Sequence, residues 1–240
     1  MSRVGAAVAA GVREYRRTPV LLALLVFLPV YVVLVFQYAV PNAEATLYLD
    51  STVTASMDAT IAAFMTPMAG ALLAGIAGLF LMGSAADADG RLVLAGYRPH
   101  EVILGRLCLL AGVSAVATGA AVAATWLTFE PAQPGWFVAA ALLAALVYGM
   151  LGVVVGSLLS RLAGVYLLLF GPMVDMFLYQ NPLSTETPAV ATVLPGHYPL
   201  AVALDAAFTG SADPSAFALG LAYLAGVTLL ATATFYRALR

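Results

Sequence analysis

Six apolar runs, each about long enough to cross a bilayer, set the pattern of this chain. They are Pro19–Val40, Ile61–Met82, Val102–Leu127, Trp136–Leu159, Leu162–Tyr179 and Ala216–Tyr236. A helix rises about 1.5 Å per residue, so crossing the hydrocarbon core takes roughly 20 apolar residues. The runs predict an all-α membrane protein with six transmembrane helices, residues 1–240 forming a single transmembrane domain. Residues 1–18 place Arg13, Glu14, Arg16 and Arg17 just before the first run. That stretch predicts an interfacial helix along the membrane surface.

The stretches between runs carry the finer expectations. Ser160-Arg161 allows only a tight turn, so the fourth and fifth helices are antiparallel neighbours. Gly149, Gly152 and Gly156 would let another helix approach the fourth closely. Pro41–Thr60 reads as a polar Thr/Ser-rich loop with Tyr48 near the interface. Gly171-Pro172 interrupts the fifth run, which is expected to end early and leave Asp175 near the outer interface. In the outer segment 180–214, Pro199–Phe208 puts Leu200, Ala203, Leu204, Ala207 and Phe208 at helical spacing, with Asp205 off that face. This predicts a short re-entrant or interfacial helix between spans five and six. A seventh span over Thr187–Phe208 would carry Pro188, Pro195, His197, Pro199 and Asp205, which spanning helices rarely tolerate. Ala43-Glu44-Ala45 resembles a signal cleavage site. The first run, however, exceeds a signal core of roughly 7–15 residues, and about 18 residues precede it, so a retained first helix is expected.

Composition agrees with lipid as the solvent. Hydrophobic residues make up 63% and charged residues 9%, against about 25% charged in soluble domains. Charge then orients the threading. All ten basic residues are Arg: Arg3, Arg13, Arg16, Arg17, Arg91, Arg98, Arg106, Arg161, Arg237 and Arg240. With six spans, every one falls in or beside an inner segment, together with the acids Glu14, Asp87, Asp89 and Glu101. The remaining acids fall outside with no base among them. Basic loops stay cytoplasmic, so both termini are expected in the cytoplasm. Arg in place of Lys, with high Ala, Val and Gly, associates with GC-rich prokaryotic genomes. The expected location is therefore a prokaryotic plasma membrane.

The same inventory narrows the chemistry. A P-loop needs Lys to reach the nucleotide phosphates, and the chain has none. Schiff-base catalysis falls with it. His100 and His197 are expected on opposite sides of the membrane, and Cys108 is a lone Cys in an apolar run, so no metal cluster or intrachain disulfide is expected. Ser157 follows Gly156 without a His in any apolar run, which argues against an intramembrane Ser–His hydrolase. No basic patch interleaved with aromatics points to nucleic acid. No catalytic residue is expected.

Residues 83–101 read GSAADADGRLVLAGYRPHE after the second run. Asp87 and Asp89 suit the N-terminus of a short helix carrying Arg91, Leu92, Val93 and Leu94. Gly96 is a stop, and Pro99 and Glu101 suit the first turn of the third span. The stub is larger than a connection needs and has the form of a knob for a cytoplasmic partner. The pattern D-A-D-G-R-L-V-L-A-G-Y-R-P-H-E-V-I-L-G-R resembles the membrane subunits of ABC-2 type transporters. So do the basic N-terminal stretch, the six spans and the segment F-G-P-M-V-D-M-F-L-Y-Q-N-P at the end of the fifth. Many relatives carry Glu where Asp89 stands.

That resemblance implies a permease that pairs with a second copy or a homologous permease, and with a separate ABC ATPase subunit. ATP and Mg would sit on the partner, with no cofactor on this chain. Residues 83–101 would be the coupling helix. Asp87, Asp89, Arg91, Leu92, Leu94, Tyr97 and Arg98, with Arg13, Glu14 and Arg17, would meet the ATPase. Asp175, Tyr179, Gln180 and Asn181 are candidates for the outer exit of the path. Two other readings stand beside it, a membrane scaffold or assembly factor without transport and an ion-coupled carrier. A carrier would bury ionisable residues near the midplane, and Asp175 is the one acid placed within a span, near its end.

Overall fold

A computed structural model describes Gly5, Arg13 and residues 19–41, 43–49, 52–83, 99–186 and 188–238. The long helices are α1 (Pro19–Ala39), α2 (Met57–Gly83), α3 (Pro99–Trp126), α4 (Pro134–Leu158) and α7 (Pro214–Ala238), with two shorter ones, α5 (Arg161–Pro172) and α6 (His197–Phe208), between the last two. Five stretches are long and apolar enough to cross a membrane: Met57–Met82, Glu101–Trp126, Pro134–Leu158, Arg161–Tyr179 and Pro214–Thr234. A shorter apolar helix covers Ala23–Ala39 within α1. The chain is thus predominantly helical, with the helices of a multi-pass membrane protein. Pro sits in the first turn of α3, α4 and α7, where its missing N–H has no helical partner to lose.

Helices α2 and α4 form the centre of the bundle, and glycine decides how closely they pack. A Cβ on Gly78 would overlap the backbone carbonyl of Gly149, and one on Gly152 would overlap that of Gly75. A Cβ on Gly156 would stand 2.9 Å from the carbonyl oxygen of Leu79. The two backbones touch without intervening side chains, as the glycine row in the fourth apolar run leads one to expect. By contrast α1, α5 and α7 expose large apolar side chains, among them Phe27, Tyr31, Leu167, Phe170, Leu229 and Leu230.

The two ends of the bundle differ. At one end the tip of α2, the start of α3 and the last turns of α7 meet, with Leu81, Arg106 and Thr232 around one small gap. Arg161 opens α5 there, its guanidinium 5.3 Å from the centre of the Phe80 ring. The other end carries a folded cap. Strands β1 (Glu44–Tyr48) and β2 (Thr52–Ser56) pair antiparallel from Glu44↔Ser56 to Tyr48↔Thr52. Ala45 and Leu47 turn inward while Glu44, Thr46 and Tyr48 turn outward. Tyr48 N–H donates to Pro182 O at 2.8 Å, joining the hairpin to the segment after α5. Ala132 and Gln133 N–H, in the α3–α4 loop, donate to Ala207 O at 3.0 Å and Ala206 O at 2.8 Å, joining that loop to the end of α6.

Two features differ from expectation, and the expected short helix of the outer segment is present as α6. The polar loop Pro41–Thr60 is a hairpin that runs directly into α2, so the molecule is not wholly α. The fifth helix does not stop at Gly171-Pro172. It continues as a π-helix over Met173–Tyr179, because Pro172 offers no N–H to the preceding turn and the widened register absorbs the lost bond. The short helix α6 spans only 12 residues, and its apolar face packs against protein. Leu200, Val202, Ala203, Leu204, Ala206 and Ala207 are all buried. The proposed coupling helix, residues 84–98, lies outside the described residues. So does the N-terminal stretch apart from Gly5 and Arg13, which are helical.

Candidate functional site

The π turn sets up the most polar point within the bundle. Leu168, Pro172, Asp175 and Met176 all lie on the buried side of α5 and its π extension. Asp175 is only 4% exposed, a position that a carboxylate tolerates only when its oxygens are satisfied. They are, from three separate parts of the chain. The Tyr148 hydroxyl on α4 donates to Oδ2, and Gln180 Nε2, just past the π-helix, donates to Oδ1. The backbone N–H of Gly196 donates to Oδ2 at 2.7 Å. Gly196 is the residue before α6, so the carboxylate also faces the positive end of that helix.

Gly196 is where it is because nothing larger fits. A Cβ there would stand 2.8 Å from Asp175 Oδ2 and 2.9 Å from Met176 Cε and Cγ. His197, the first residue of α6, packs edge-on against Tyr198 with ring centres 5.0 Å apart. Burial pushes the His197 imidazole below its usual pKa, with the Asp175 charge pulling the opposite way. On α7, the Tyr223 hydroxyl lies 3.5 Å from Val193 O, which ties the turn before α6 to the last helix. One buried carboxylate therefore ties the cap to α4 and α5, beside the apolar packing of α6.

Outside this point the cap forms an open cleft of about 370 Å³, lined by Tyr48, Gln180, Asn181, Tyr198, Asp205 and Asp213 among others. Asn181 Oδ1 accepts from Leu183 N–H at 3.0 Å, a local turn. Asp213 accepts from Ser215 N–H at 2.8 Å and Ser215 Oγ at 2.7 Å. These bonds cap α7 and hold the Asp213 carboxyl below the usual carboxylate range. Among the described residues, no three of His, Cys, Asp and Glu come together as a metal would need.

Of the residues proposed for the outer exit, Asp175 and Gln180 are bonded to each other, and Tyr179 and Asn181 flank them. Sequence reading placed Asp175 near water; the structure surrounds it with protein. It missed Tyr148, Gly196 and Tyr223. The one available signal for Tyr148 was a phenol hydroxyl in the middle of an apolar run. Of the proposed ATPase contacts, Arg13 is helical and exposed. Asp87, Asp89, Arg91, Leu92, Leu94, Tyr97, Arg98, Glu14 and Arg17 lie outside the described residues. Compared with models of protein families and with curated proteins, the chain has no match.

Proposed function

We propose that this chain is the membrane-spanning permease subunit of an ATP-driven ABC transporter of the ABC-2 type, working as an exporter. In this reading α1 joins the five longer candidates as the first of six spans, both termini are cytoplasmic, and the hairpin end faces outward. The observation that carries the reading is the cap. A folded outer layer closes one end of the bundle and is fastened to its central helix α4 through Asp175. A closure packed on the bundle through α6 and tied to it at one buried carboxylate is a gate that tilting helices can open as a unit. The opposite end, with Arg106 and Arg161, is left for a cytoplasmic partner. The sequence supplies the rest of the support: ten Arg assigned to one side, the stub at 83–101, and no Lys with which to build a P-loop. Two copies would line the path, with exposed apolar faces of α1, α5 and α7 meeting lipid or the second copy.

The test is association with an ATPase. The chain, co-expressed with a P-loop ATPase encoded beside it, is expected to co-purify with it. The triple variant D87K/R91E/L94R is expected to lose the partner while inserting and folding normally. Retention of the partner by the variant would sink the docking assignment.

The burial of Asp175 favours one other reading, an ion-coupled carrier, since carriers bury ionisable groups inside their spans. D175N separates the two. A carrier loses its coupling ion and all transport, whereas an ABC permease keeps its bound ATPase and some ATP-dependent export.

A further inference from the structure

A second polar feature runs through α3, away from Asp175. Ser114, Thr118 and Thr125 share one face of that helix at spacings of four and seven, and all are at most 2% exposed. Thr125 Oγ1 bonds to Thr66 Oγ1 on α2, and each of the two also returns to the carbonyl one turn earlier in its own helix. Thr118 faces Gly70 of α2, where a Cβ would stand 3.1 Å from Thr118 Oγ1. At the hairpin end, an open cavity of about 370 Å³ is lined by Gln37, Tyr38, Val40, Asp58 and Thr128. Gln37 is itself 3% exposed. Gln37 Oε1, Ser114 Oγ and Thr118 Oγ1 are buried and have no hydrogen-bond partner among the described residues.

Three orphaned polar atoms so close to one seam are costly in a dry interior, and buried water is the usual remedy. We propose that the seam between α2 and α3, entered beside Gln37 of α1, binds a file of water from the Gln37–Thr128 cavity. The file runs past the Thr66–Thr125 pair to Thr118 and Ser114. From Thr125 to Ser114 it descends about 16 Å along the helix axis, roughly half the hydrocarbon thickness. The ligand is water, and the consequence is a hydrated polar track inside one copy of the chain, independent of any interface between copies. It rests on the buried hydroxyls and holds whether or not the chain exports anything.

The test uses the full chain in lipid nanodiscs. X-ray radiolysis turns bound water into hydroxyl radicals in place, which mass spectrometry reads as oxidation of neighbouring side chains. Within the segment Ser114–Thr125, the buried Ala117, Ala121 and Val122 are expected to label several-fold faster than the equally buried Leu143, Ala144 and Val147 in the α4 segment. The double variant S114A/T118V gives a second readout with opposite signs. In a dry seam, shape-matched apolar replacements remove orphaned hydroxyls and raise Tm. In a wet seam they strip partners from bound water, and Tm falls by roughly 2–4 °C. Equal labelling of the two segments, or a Tm that rises in the variant, overturns the proposal.

Discussion

Asp175 accepts from Tyr148, Gln180 and Gly196 in a site almost closed to solvent, so each donor is worth more than a surface bond. Removing one partner leaves a buried acceptor short, at about 1–3 kcal/mol. Y148F is expected to lower unfolding stability by that amount in a denaturant titration, although it deletes a single oxygen. G196A is expected to cost about 1–3 kcal/mol by overpacking, because the new Cβ meets Asp175 Oδ2 and Met176. His197 adds a pH dependence. Its folded pKa lies below the usual 6.5, so beneath about pH 6.5 the unfolded chain binds more protons than the folded one. Stability is then lost as pH falls from that value through the folded pKa. Thermal melts across this range should show the decline, and H197Q should flatten it. At this scale the acid itself was legible, being the one carboxylate within a predicted span. Its chief partner was not, because Tyr148 lies 27 residues away and only the packing of α4 on α5 brings them together.

The packing of α2 on α4 rests on the absence of side chains at Gly75, Gly78, Gly149 and Gly152. G152A and G78A would drive a methyl into a facing backbone, which cannot step aside as a flexible side chain can. Each is expected to destabilise by about 1–3 kcal/mol or more. G119A is the control: nothing lies within 4 Å of the site, and Ala suits a helix better than Gly by about 1 kcal/mol. Thermal melts of the three variants in one detergent would check the contrast. The glycine row was readable because helical spacing puts small residues on one face. The hairpin was not read, although E-A-T-L-Y alternates with period two. Its strands are only five residues each, and their Thr and Ser content has the look of a loop. The fifth helix was misjudged for a different reason. Proline does remove a hydrogen bond, but a π turn absorbs the loss without ending the helix.

Across the whole molecule, the segments assigned to the outer side from charge alone come together at the hairpin end: the α1–α2 connection, the α3–α4 loop and the stretch before α7. Arg106 and Arg161 lie toward the other end. Charge speaks to side and not shape, so the grouping of these segments at one end was legible while the fastening of the cap was not. In the proposed function the segment 83–101 would carry the link to ATP, and a chain without Lys for a P-loop would leave the hydrolysis to its partner. The most direct test is ATP hydrolysis by the purified complex of this chain with its co-expressed ATPase in nanodiscs. The expected result is turnover that D87K/R91E/L94R reduces by about tenfold or more, equivalent to at least about 1.4 kcal/mol of lost coupling. Turnover unchanged by the triple variant, or a chain that forms no complex with any ATPase yet moves solute by itself, would contradict it.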